Sequence, residues 1–498
     1  MNQSGSEAAG PPRRPRVLLP AMAASVIGVI LVHITALQSG FVDFDDDTIF
    51  LNNPLLKRND VGAFWEILSP ERTDWRPLRD LSHWFDYLLH GQSPLWAHAH
   101  NLLLLSCCVW LCGRLFLALG ATRRAAAWAA FLGFAHPVQV ETIAWVSGRK
   151  DLLAGLFALS ALLAFHRMLR SRKAVVWSII GLICTMAGIM AKGHVIVMPA
   201  LFGCLFVYRR LRVGQAFSNR IWLTGIALCV IAFVSFDLIA RGGVMLADKV
   251  AADDLQHRLT LGDRLQLPLR YLWHFVWPVD LNHIYLTQKL GTAHTVLSVC
   301  SALLSVGLLV RLLSWLRAGD PRAAVLAMAM VWMAPYLHFK AGTVYMADRY
   351  LFMVVPLLCW LVYGFLDGFT LPRRLNNGLL IVIGMTWATA SLQQHQAWHN
   401  PVNLWARMAE VYPESAWGYQ RLGRALYFQG QTTTAAEAWL TAVNRNPKDT
   451  QSMNNAAVAL MELGHLEQAQ ALLERCLAIN PQDQRALKNL QNLAAQRP

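Results

Sequence analysis

Residues 174–190 read AVVWSIIGLICTMAGIM, an apolar stretch without a charge that lies between Lys173 and Lys192. A helix rises about 1.5 Å per residue, so about 20 such residues cross the roughly 30 Å of hydrocarbon in a membrane. Comparable stretches recur over the first four-fifths of the chain. The composition agrees, with 55% hydrophobic and 15% charged residues, because a soluble chain cannot bury so much apolar surface. The sequence therefore predicts an integral membrane protein.

The apolar stretches predict an all-α fold in which residues 17–392 form a bundle of about eleven transmembrane helices. The predicted spans are 17–39, 96–113, 125–146, 152–166, 174–190, 194–208, 221–240, 292–312, 323–338, 350–367 and 375–392. A short tail, residues 1–16, precedes them. Larger loops on one side of the membrane, called outer loops below, are residues 40–95, 136–151, 241–291 and 338–349. The aromatic stretch 271–278 is expected along the membrane interface, because a further span there would break the alternation of basic loops.

Basic residues cluster in every second connection between the predicted spans. The clusters are Arg13, Arg14 and Arg16; Arg114, Arg123 and Arg124; Arg167, Arg170, Arg172 and Lys173; Arg209, Arg210 and Arg212; Arg317 and Arg322; and Arg373 and Arg374. Because Lys and Arg in short loops remain in the cytoplasm, this pattern predicts a cytoplasmic N-terminal tail and an outer C-terminal region. The net charge of +14 is then a topology signal. Nucleic acid is not expected as a partner, since it requires one contiguous basic face.

The last hundred or so residues repeat themselves. Pro413, Pro447 and Pro481 are spaced by 34 residues, and Gly430 and Gly464 keep the same step. This period, with a Pro closing each helix pair, is typical of the tetratricopeptide repeat. The sequence therefore predicts a tetratricopeptide-repeat (TPR) domain over residues 393–498, outside the cytoplasm. Such a concave stack commonly binds a peptide or protein, although it can also serve as a structural cap.

The first outer loop carries an acidic cluster, Asp43, Asp45, Asp46 and Asp47, directly after the first span. A carboxylate at this depth can act as a general base towards a hydroxyl, or can hold a divalent metal together with its neighbour. A solvated acidic loop explains the same residues without any function. The sequence leaves both interpretations open.

The second outer loop contains Glu141 and, after Gly148, the cations Arg149 and Lys150. Cations beside a glycine at a membrane interface suit a phosphate, above all one on a lipid, although they can also simply anchor a helix. The other outer connections add Lys192, Gly193 and His194; Asp253, Asp254 and His257; and His338, Lys340, Tyr345, Asp348, Arg349 and Tyr350. Acid, base and phosphate-binding groups thus lie on one side of the predicted bundle.

The order and spacing of these blocks resemble the transmembrane and tetratricopeptide-repeat O-mannosyltransferases and their bacterial relatives, of the polytopic glycosyltransferase class GT-C. The blocks are Phe44-Asp45-Asp46 with Asn53-Pro54, Arg76-Pro77-Leu78, Gly91 followed by His100-Asn101, His136-Pro137, Glu141, Ser147 to Leu153, Lys192 with Pro199, and Asp348-Arg349-Tyr350. The chain departs from the pattern at Gly193, where relatives commonly have Glu. Three consecutive aspartates also leave more than one candidate base.

The resemblance implies transfer of a sugar, with mannose expected, from a polyprenyl- or dolichyl-phosphate carrier to a hydroxyl of a protein acceptor outside the cytoplasm, with inversion. It implies that the catalytic base is Asp45 or Asp46. It further implies that the donor phosphate is bound by Arg149, Arg349, Lys192, Lys150 and His136, and that Glu141, Arg76 and Asp348 contact or orient the substrate.

The expected partners are membrane lipid, the lipid-linked sugar and an acceptor protein that the TPR domain can bind. No cofactor is expected and no metal site is assigned, since no cysteine spacing resembles a zinc site. Compact loops favour a bacterial inner membrane over the endoplasmic reticulum. Two alternatives remain. One is transfer to a glycolipid or polysaccharide, or of a whole oligosaccharide; the other is a non-catalytic membrane scaffold whose repeats recruit partners.

Overall fold

The computed structural model describes residues 18–72, 74–216, 218–250, 260–286, 292–337, 346–368 and 372–496. Within these residues the regular secondary structure is entirely helical. The predicted tail, residues 1–16, lies outside them. So do six of the individual residues that the sequence analysis named in the outer loops, which are Asp253, Asp254, His257, His338, Lys340 and Tyr345.

The α-helices are numbered in chain order. In the membrane region they are α1 Leu18–His33, α2 Val61–Leu68, α3 Pro77–His90, α4 Pro94–Ala118, α5 Arg123–Ala135, α6 Val140–Ala144, α7 Arg149–Met168, α8 Ala174–Ala191, α9 Met198–Val213, α10 Asn219–Val250, α11 Leu261–Val276, α12 Thr292–Arg317, α13 Arg322–Met333, α14 Val354–Leu366 and α15 Arg373–Ala397. The C-terminal helices are α16 Pro401–Val411, α17 Ala416–Phe428, α18 Thr432–Arg445, α19 Thr450–Glu462, α20 Leu466–Ile479 and α21 Gln484–Gln496.

The predicted fold class, an all-α membrane bundle followed by helical repeats, is confirmed. Eight helices of the described chain are long and apolar enough to cross a membrane. The other three predicted spans fall on α5, α13 and α14, which are shorter, so the number of spans remains a prediction. The last predicted span, residues 375–392, corresponds to α15. This helix runs on to Ala397 and so extends past residue 393, where the TPR domain was predicted to begin.

One predicted span is wrong in its extent. The apolar stretch 125–146 forms a helix only as far as Ala135, after which His136 takes an extended conformation. The cause is Pro137, since the residue before a proline is driven away from helical angles. Short helical turns and α6 follow, and α7 then begins at Arg149. This break places residues 136–148 at one end of the bundle, where the candidate site lies.

Helix α7 lies at the centre of the bundle and packs against α4 and α8. Most of its residues are buried, including Leu152, Ala158 and Phe165. Its start requires a glycine, because a Cβ on Gly148 would collide with the carbonyl oxygen of Thr142. The tight turn before α7 therefore fixes the position of the residues on its first turn.

The C-terminal helices form antiparallel pairs, α17 with α18 and α19 with α20, and α21 packs on the last pair. The repeated glycines Gly430 and Gly464 follow the first helix of each pair with φ of 76° and 82°, a conformation that glycine adopts without steric cost. Helix α16 contacts both α15 and α17. The repeats are therefore joined directly to the membrane bundle.

Candidate active site

The first outer loop is tied to the second through Asp46, which is fully buried. One carboxylate oxygen accepts hydrogen bonds from the Ser147 backbone N–H at 2.9 Å and from its Oγ at 2.6 Å. The other accepts from the Val42 N–H at 3.2 Å. Burial raises the pKa of Asp46 to about 6, and these hydrogen bonds oppose the shift. Both oxygens of Asp46 are thus engaged by the protein.

The neighbouring Asp45 has different surroundings. Its side chain is exposed, and its carboxylate makes no hydrogen bond or ion pair within the described residues. Its charge acts on the ammonium of Lys150. Of the two candidate bases, Asp45 therefore presents a carboxylate that is free to meet a ligand.

Asp43, at the start of the acidic cluster, faces the C-terminal helices. Its carboxylate accepts a hydrogen bond of 2.5 Å from the indole Nε1 of Trp405 in α16. Burial raises the pKa of Asp43, while this hydrogen bond and the charges of Arg421 and Arg424 oppose the shift. The acidic cluster thus contacts both the membrane bundle and the repeats.

His136, which the resemblance assigns to the donor phosphate, is enclosed by aromatic rings and backbone groups. Its ring is fully buried between Phe275 and Trp387. Its Nε2 lies 2.9 Å from the Phe275 carbonyl oxygen, and its Nδ1 accepts a hydrogen bond from the Val138 N–H. Both nitrogens are occupied by the backbone, so His136 instead caps the short helical turn that follows α5.

Arg149, also predicted to bind phosphate, is turned into the protein. It forms an ion pair with Asp86 of α3 and donates to Asn101 Oδ1 at 2.9 Å. Further hydrogen bonds go to the backbone carbonyls of Ala97 and Ser82. Its side chain is 1% exposed. Arg149 therefore joins α7 to α3 and α4, and the predicted contact with phosphate would require these bonds to break.

Lys150, the next residue, has no such partner. Its ammonium lies 4.1 Å from the centroid of the Trp145 ring and forms no ion pair with the described part of the chain. The charges around it include the cations Arg76, Arg349 and Arg79 and the carboxylates of Asp45, Asp74 and Asp151. A buried cation without a carboxylate partner, placed among other cations, is a strong binding group for an anion.

Two ion pairs flank Lys150. Glu141 pairs with the guanidinium of Arg349 and also accepts the Arg349 backbone N–H at 2.9 Å. Asp151 accepts a hydrogen bond of 2.5 Å from the Lys192 ammonium, which is 12% exposed. Each carboxylate fixes the position of one cation without covering every donor. The predicted residues Glu141, Arg349 and Lys192 are thus brought together around Lys150.

Arg76 reaches the same cluster from the first outer loop. Its Nε lies 3.1 Å from Asp74, and its charge acts on both Lys150 and Lys192. Asp74 also holds Arg79, which in turn contacts Asp80, the partner of Arg72. The sequence analysis missed this chain of ion pairs. Its signal was the alternation of charges in residues 72–80, RTDWRPLRD.

Asp348 lies behind Arg349. Its carboxylate accepts hydrogen bonds of 2.9 Å from the Tyr285 hydroxyl and lies 3.1 Å from His274 Nδ1. The side chain is buried, so it is placed to orient the turn that carries Arg349. His274 and Tyr285 were also missed, because only the folded chain brings them to Asp348.

The site therefore combines one free carboxylate, Asp45, with four cations, Lys150, Arg349, Lys192 and Arg76. Over the described residues no group of three or more His, Cys, Asp or Glu is arranged to hold a metal ion. Fixed cations can stabilise a leaving phosphate, and a free carboxylate can accept a proton from an attacking hydroxyl. The arrangement is suited to displacement at a carbon that carries a phosphate.

Sequence comparisons identify O-mannosyltransferase relatives. Protein O-mannosyl-transferase TMTC3 of Mus musculus is 23% identical over 518 residues, covering 90% of this chain and 53% of the relative. Tmtc3 of Drosophila melanogaster is 24% identical over 92% of this chain and 58% of its own length. TMTC1 of Mus musculus is 34% identical over 188 residues, or 34% of this chain and 19% of its own length. The resemblance predicted from the motifs is confirmed. The chain spans about half the length of the curated relatives that it matches along most of its sequence.

A family model of the tetratricopeptide repeat matches residues 450–483, which confirms the predicted repeat. Among solved structures, ArnT from Cupriavidus metallidurans is 17% identical with a TM-score of 0.42, covering 91% of this chain and 79% of its own. AglB from Archaeoglobus fulgidus, an oligosaccharyltransferase solved with an inhibitory peptide and a dolichol-phosphate, is 13% identical with a TM-score of 0.44, covering 77% and 55%.

Proposed function

We propose that this chain is a glycosyltransferase that moves a sugar, expected to be mannose, from a polyprenyl- or dolichyl-phosphate carrier to a hydroxyl of a protein outside the cytoplasm. One observation carries the proposal. Within the described chain the exposed Asp45 carboxylate has no bonded partner, and the Lys150 ammonium, which also has no carboxylate partner, lies over the Trp145 ring that Arg349 contacts as well. The names of the relatives support the reaction class.

The reaction is a displacement at the anomeric carbon of the sugar. The acceptor hydroxyl oxygen forms the new bond to this carbon while its proton passes to the Asp45 carboxylate. The bond between the carbon and the phosphate oxygen breaks, and its electron pair leaves with the lipid phosphate. Attack from the side opposite the leaving group inverts the configuration.

Asp45 is the proposed base because of the difference between the two adjacent carboxylates. A general base must lie within hydrogen-bond reach of the proton that it removes. Asp46 has both oxygens occupied by Ser147 and Val42 and no exposed surface. Asp46 instead positions Asp45 by fixing the first outer loop to the turn before α7.

The cations around Lys150 stabilise the charge that develops on the leaving phosphate. Lys150 is the central group, and Arg349 and Lys192 are held in position by Glu141 and Asp151. Removing one preorganised donor from a site of this kind typically lowers kcat by about 10²–10³-fold. Arg149 acts indirectly, by anchoring the first turn of α7 to Asp86.

The test is transfer of radiolabelled mannose from polyprenyl-phosphate-mannose to membrane proteins by the purified full chain. We expect Asp45→Asn to abolish labelling without lowering the melting temperature. Asp47→Asn, in the same loop, is the control, because Asp47 contacts the neighbouring Thr48 N–H and has no role in the proposed reaction.

Each other outcome has a defined meaning. Labelling only with a different lipid-linked sugar would keep the mechanism and discard mannose. Labelling of a glycolipid or polysaccharide would keep the donor and change the acceptor. Full activity of Asp45→Asn would show that Asp45 is not the base. No labelling with any donor or acceptor would favour the alternative of a non-catalytic membrane scaffold.

A further inference from the structure

A positively charged cavity lies at the end of α7 that is far from the candidate active site. Helix α7 begins at the candidate active site and ends at Met168 after 20 residues, a length of about 30 Å. There a cavity of about 1230 Å³ opens between α4, α7 and α8. Four arginines line it, namely Arg114, Arg123, Arg167 and Arg170.

These arginines have no acidic counterpart. The sequence contains no Asp or Glu in residues 87–140 or 152–236, which include α4, α5, α8 and all of α7 except its first three residues. The described chain forms no ion pair to any of the four side chains. Arg167 lies over the Trp177 ring at 4.6 Å, and Arg170 lies 3.4 Å from His166. The positive charge of the cavity is therefore not neutralised by the protein.

Apart from Thr122, Ser160, His166 and Ser171, the remaining wall of the cavity is apolar and continues to the exposed side of α8. Leu111 and Leu163 line it, and Ile180 of α8 is 37% exposed. A soluble anion would use the arginines but leave this wall uncovered. An amphiphile with an anionic head and a hydrocarbon tail would match both parts.

We propose that this cavity binds an anionic phospholipid from the leaflet opposite the candidate active site. The lipid phosphate lies among the four arginines, whose guanidinium groups are suited to phosphate oxygens. The acyl chains lie along the apolar wall towards Ile180. This site is separate from the proposed donor site, because the two lie at opposite ends of α7.

The test is native mass spectrometry of the purified full chain titrated with phosphatidylglycerol or with phosphatidylcholine. The double variant Arg114→Gln/Arg170→Gln removes two charges from the cavity. Arg317→Gln/Arg373→Gln is the matched control, because it removes two exposed arginines that do not line the cavity. We expect phosphatidylglycerol to bind more tightly than phosphatidylcholine. The cavity variant should lose about 25-fold in affinity, since it lacks two basic residues and each contributes about fivefold near an anionic lipid.

Three results would overturn the proposal. These are equal binding of the two lipids, an equal loss in the control variant, and displacement of bound lipid by millimolar inorganic phosphate. The last result would identify a site for a free anion. Melting temperatures of both variants, measured in detergent without added lipid, show whether a loss of binding reflects unfolding.

Discussion

At the scale of single residues, Asp46 shows how burial and hydrogen bonding oppose each other on one carboxylate. Burial raises its pKa from 3.8 to about 6 although three donors surround it. A carboxyl whose folded pKa is raised stabilises the fold below its unfolded pKa and loses this contribution as the pH rises through the folded value. The contribution lost between about pH 4 and pH 7 is about 3 kcal/mol, at about 1.4 kcal/mol per pKa unit.

The first prediction concerns the loss of the stabilising contribution of Asp46 as the pH rises. The melting temperature of the wild type should fall relative to that of Asp46→Asn as the pH rises from 4 to 7, because the amide does not titrate. Thermal unfolding of both proteins in the same detergent over this range measures the difference. Asp47→Asn serves as the control for a charge change in the same loop. Parallel curves for wild type and Asp46→Asn would contradict the prediction.

The second prediction separates two adjacent cations. Arg149→Gln removes the guanidinium that pairs with the buried Asp86 and leaves this carboxylate with its contact to His100, so we expect a loss of stability of up to about 3–5 kcal/mol. Lys150→Gln breaks no ion pair, so the melting temperature should change little while kcat for sugar transfer falls by about 10²-fold or more. The reverse pattern would exchange the roles assigned to the two residues. Thermal unfolding and the transfer assay, run on both variants, decide between them.

The third prediction concerns metal ions. The proposed site supplies positive charge to the phosphate through Lys150, Arg349, Lys192 and Arg76. Transfer should therefore persist after treatment with EDTA and should not increase on addition of Mg²⁺ or Mn²⁺. A loss of activity in EDTA that a divalent ion restores would show that the cations alone are not sufficient.

The sequence indicated which residue types carry the site but not which way they face. Arg149 and Lys150 are adjacent with the same charge, and successive residues on a helix point about 100° apart. One had to face inward. Arg149 faces inward because it pairs with Asp86. Asp86 lies 63 positions earlier in the sequence (149 − 86) and belongs to none of the motifs on which the resemblance rests. The surroundings of His136 were equally unpredictable, because its backbone partner Phe275 lies far away in the sequence and becomes a neighbour only on folding.

At the scale of elements, the first outer loop and α16 form a joint between the two parts of the molecule. Asp43 and Trp405 provide its polar contact, and Phe44 packs against the same indole with ring centroids 6.3 Å apart. Since Asp45 is two residues away, a change in α16 can alter the position of the proposed base. We therefore expect changes in α16 to be transmitted to the proposed base.

The fourth prediction tests this joint. Trp405→Phe keeps an aromatic ring but removes the donor to the half-buried Asp43 carboxylate, a loss of about 1 kcal/mol. Amide hydrogen exchange in residues 41–50 should become faster. Trp439→Phe is the matched control, because its indole donates to Gln420 within the repeats, so exchange should change in α17 and α18 only. Unchanged exchange in residues 41–50 of Trp405→Phe would show that the joint does not fix the loop.

The helices whose limits are set by residues nearby in the sequence were the most predictable. The repeat helices follow from a 34-residue period, and the small residues that set each turn lie within one helix pair. The predicted extent of the helix in residues 125–146 was wrong, because the sequence remains hydrophobic past the point where Pro137 ends the helix. Hydropathy measures whether a stretch is compatible with lipid, whereas a helix end depends on backbone geometry.

At the scale of the whole molecule, the two ends of the bundle differ in charge chemistry. At the end that carries Asp45, cations are paired with carboxylates or arranged around Lys150. At the other end, the four arginines of the positively charged cavity have no carboxylate partners within the described residues. The alternation of basic loops in the sequence predicted this separation. The same alternation could not predict that residues 45, 76, 150, 192 and 349 converge, because these residues lie in five segments that are far apart in the chain.

The same asymmetry yields the last prediction, on orientation. Unpaired arginines in short connections favour the cytoplasmic side, so Asp45 and the TPR domain should lie outside the cytoplasm. In bacterial cells, alkaline phosphatase fused after Pro498 should be active, and green fluorescent protein fused there should be dark. Both reporters should behave in the opposite way when they are fused after Arg317, at the end of α12. Fluorescence at Pro498 would place the repeats and the proposed base in the cytoplasm, where the acceptor would have to be a cytoplasmic protein and the anionic lipid would come from the outer leaflet.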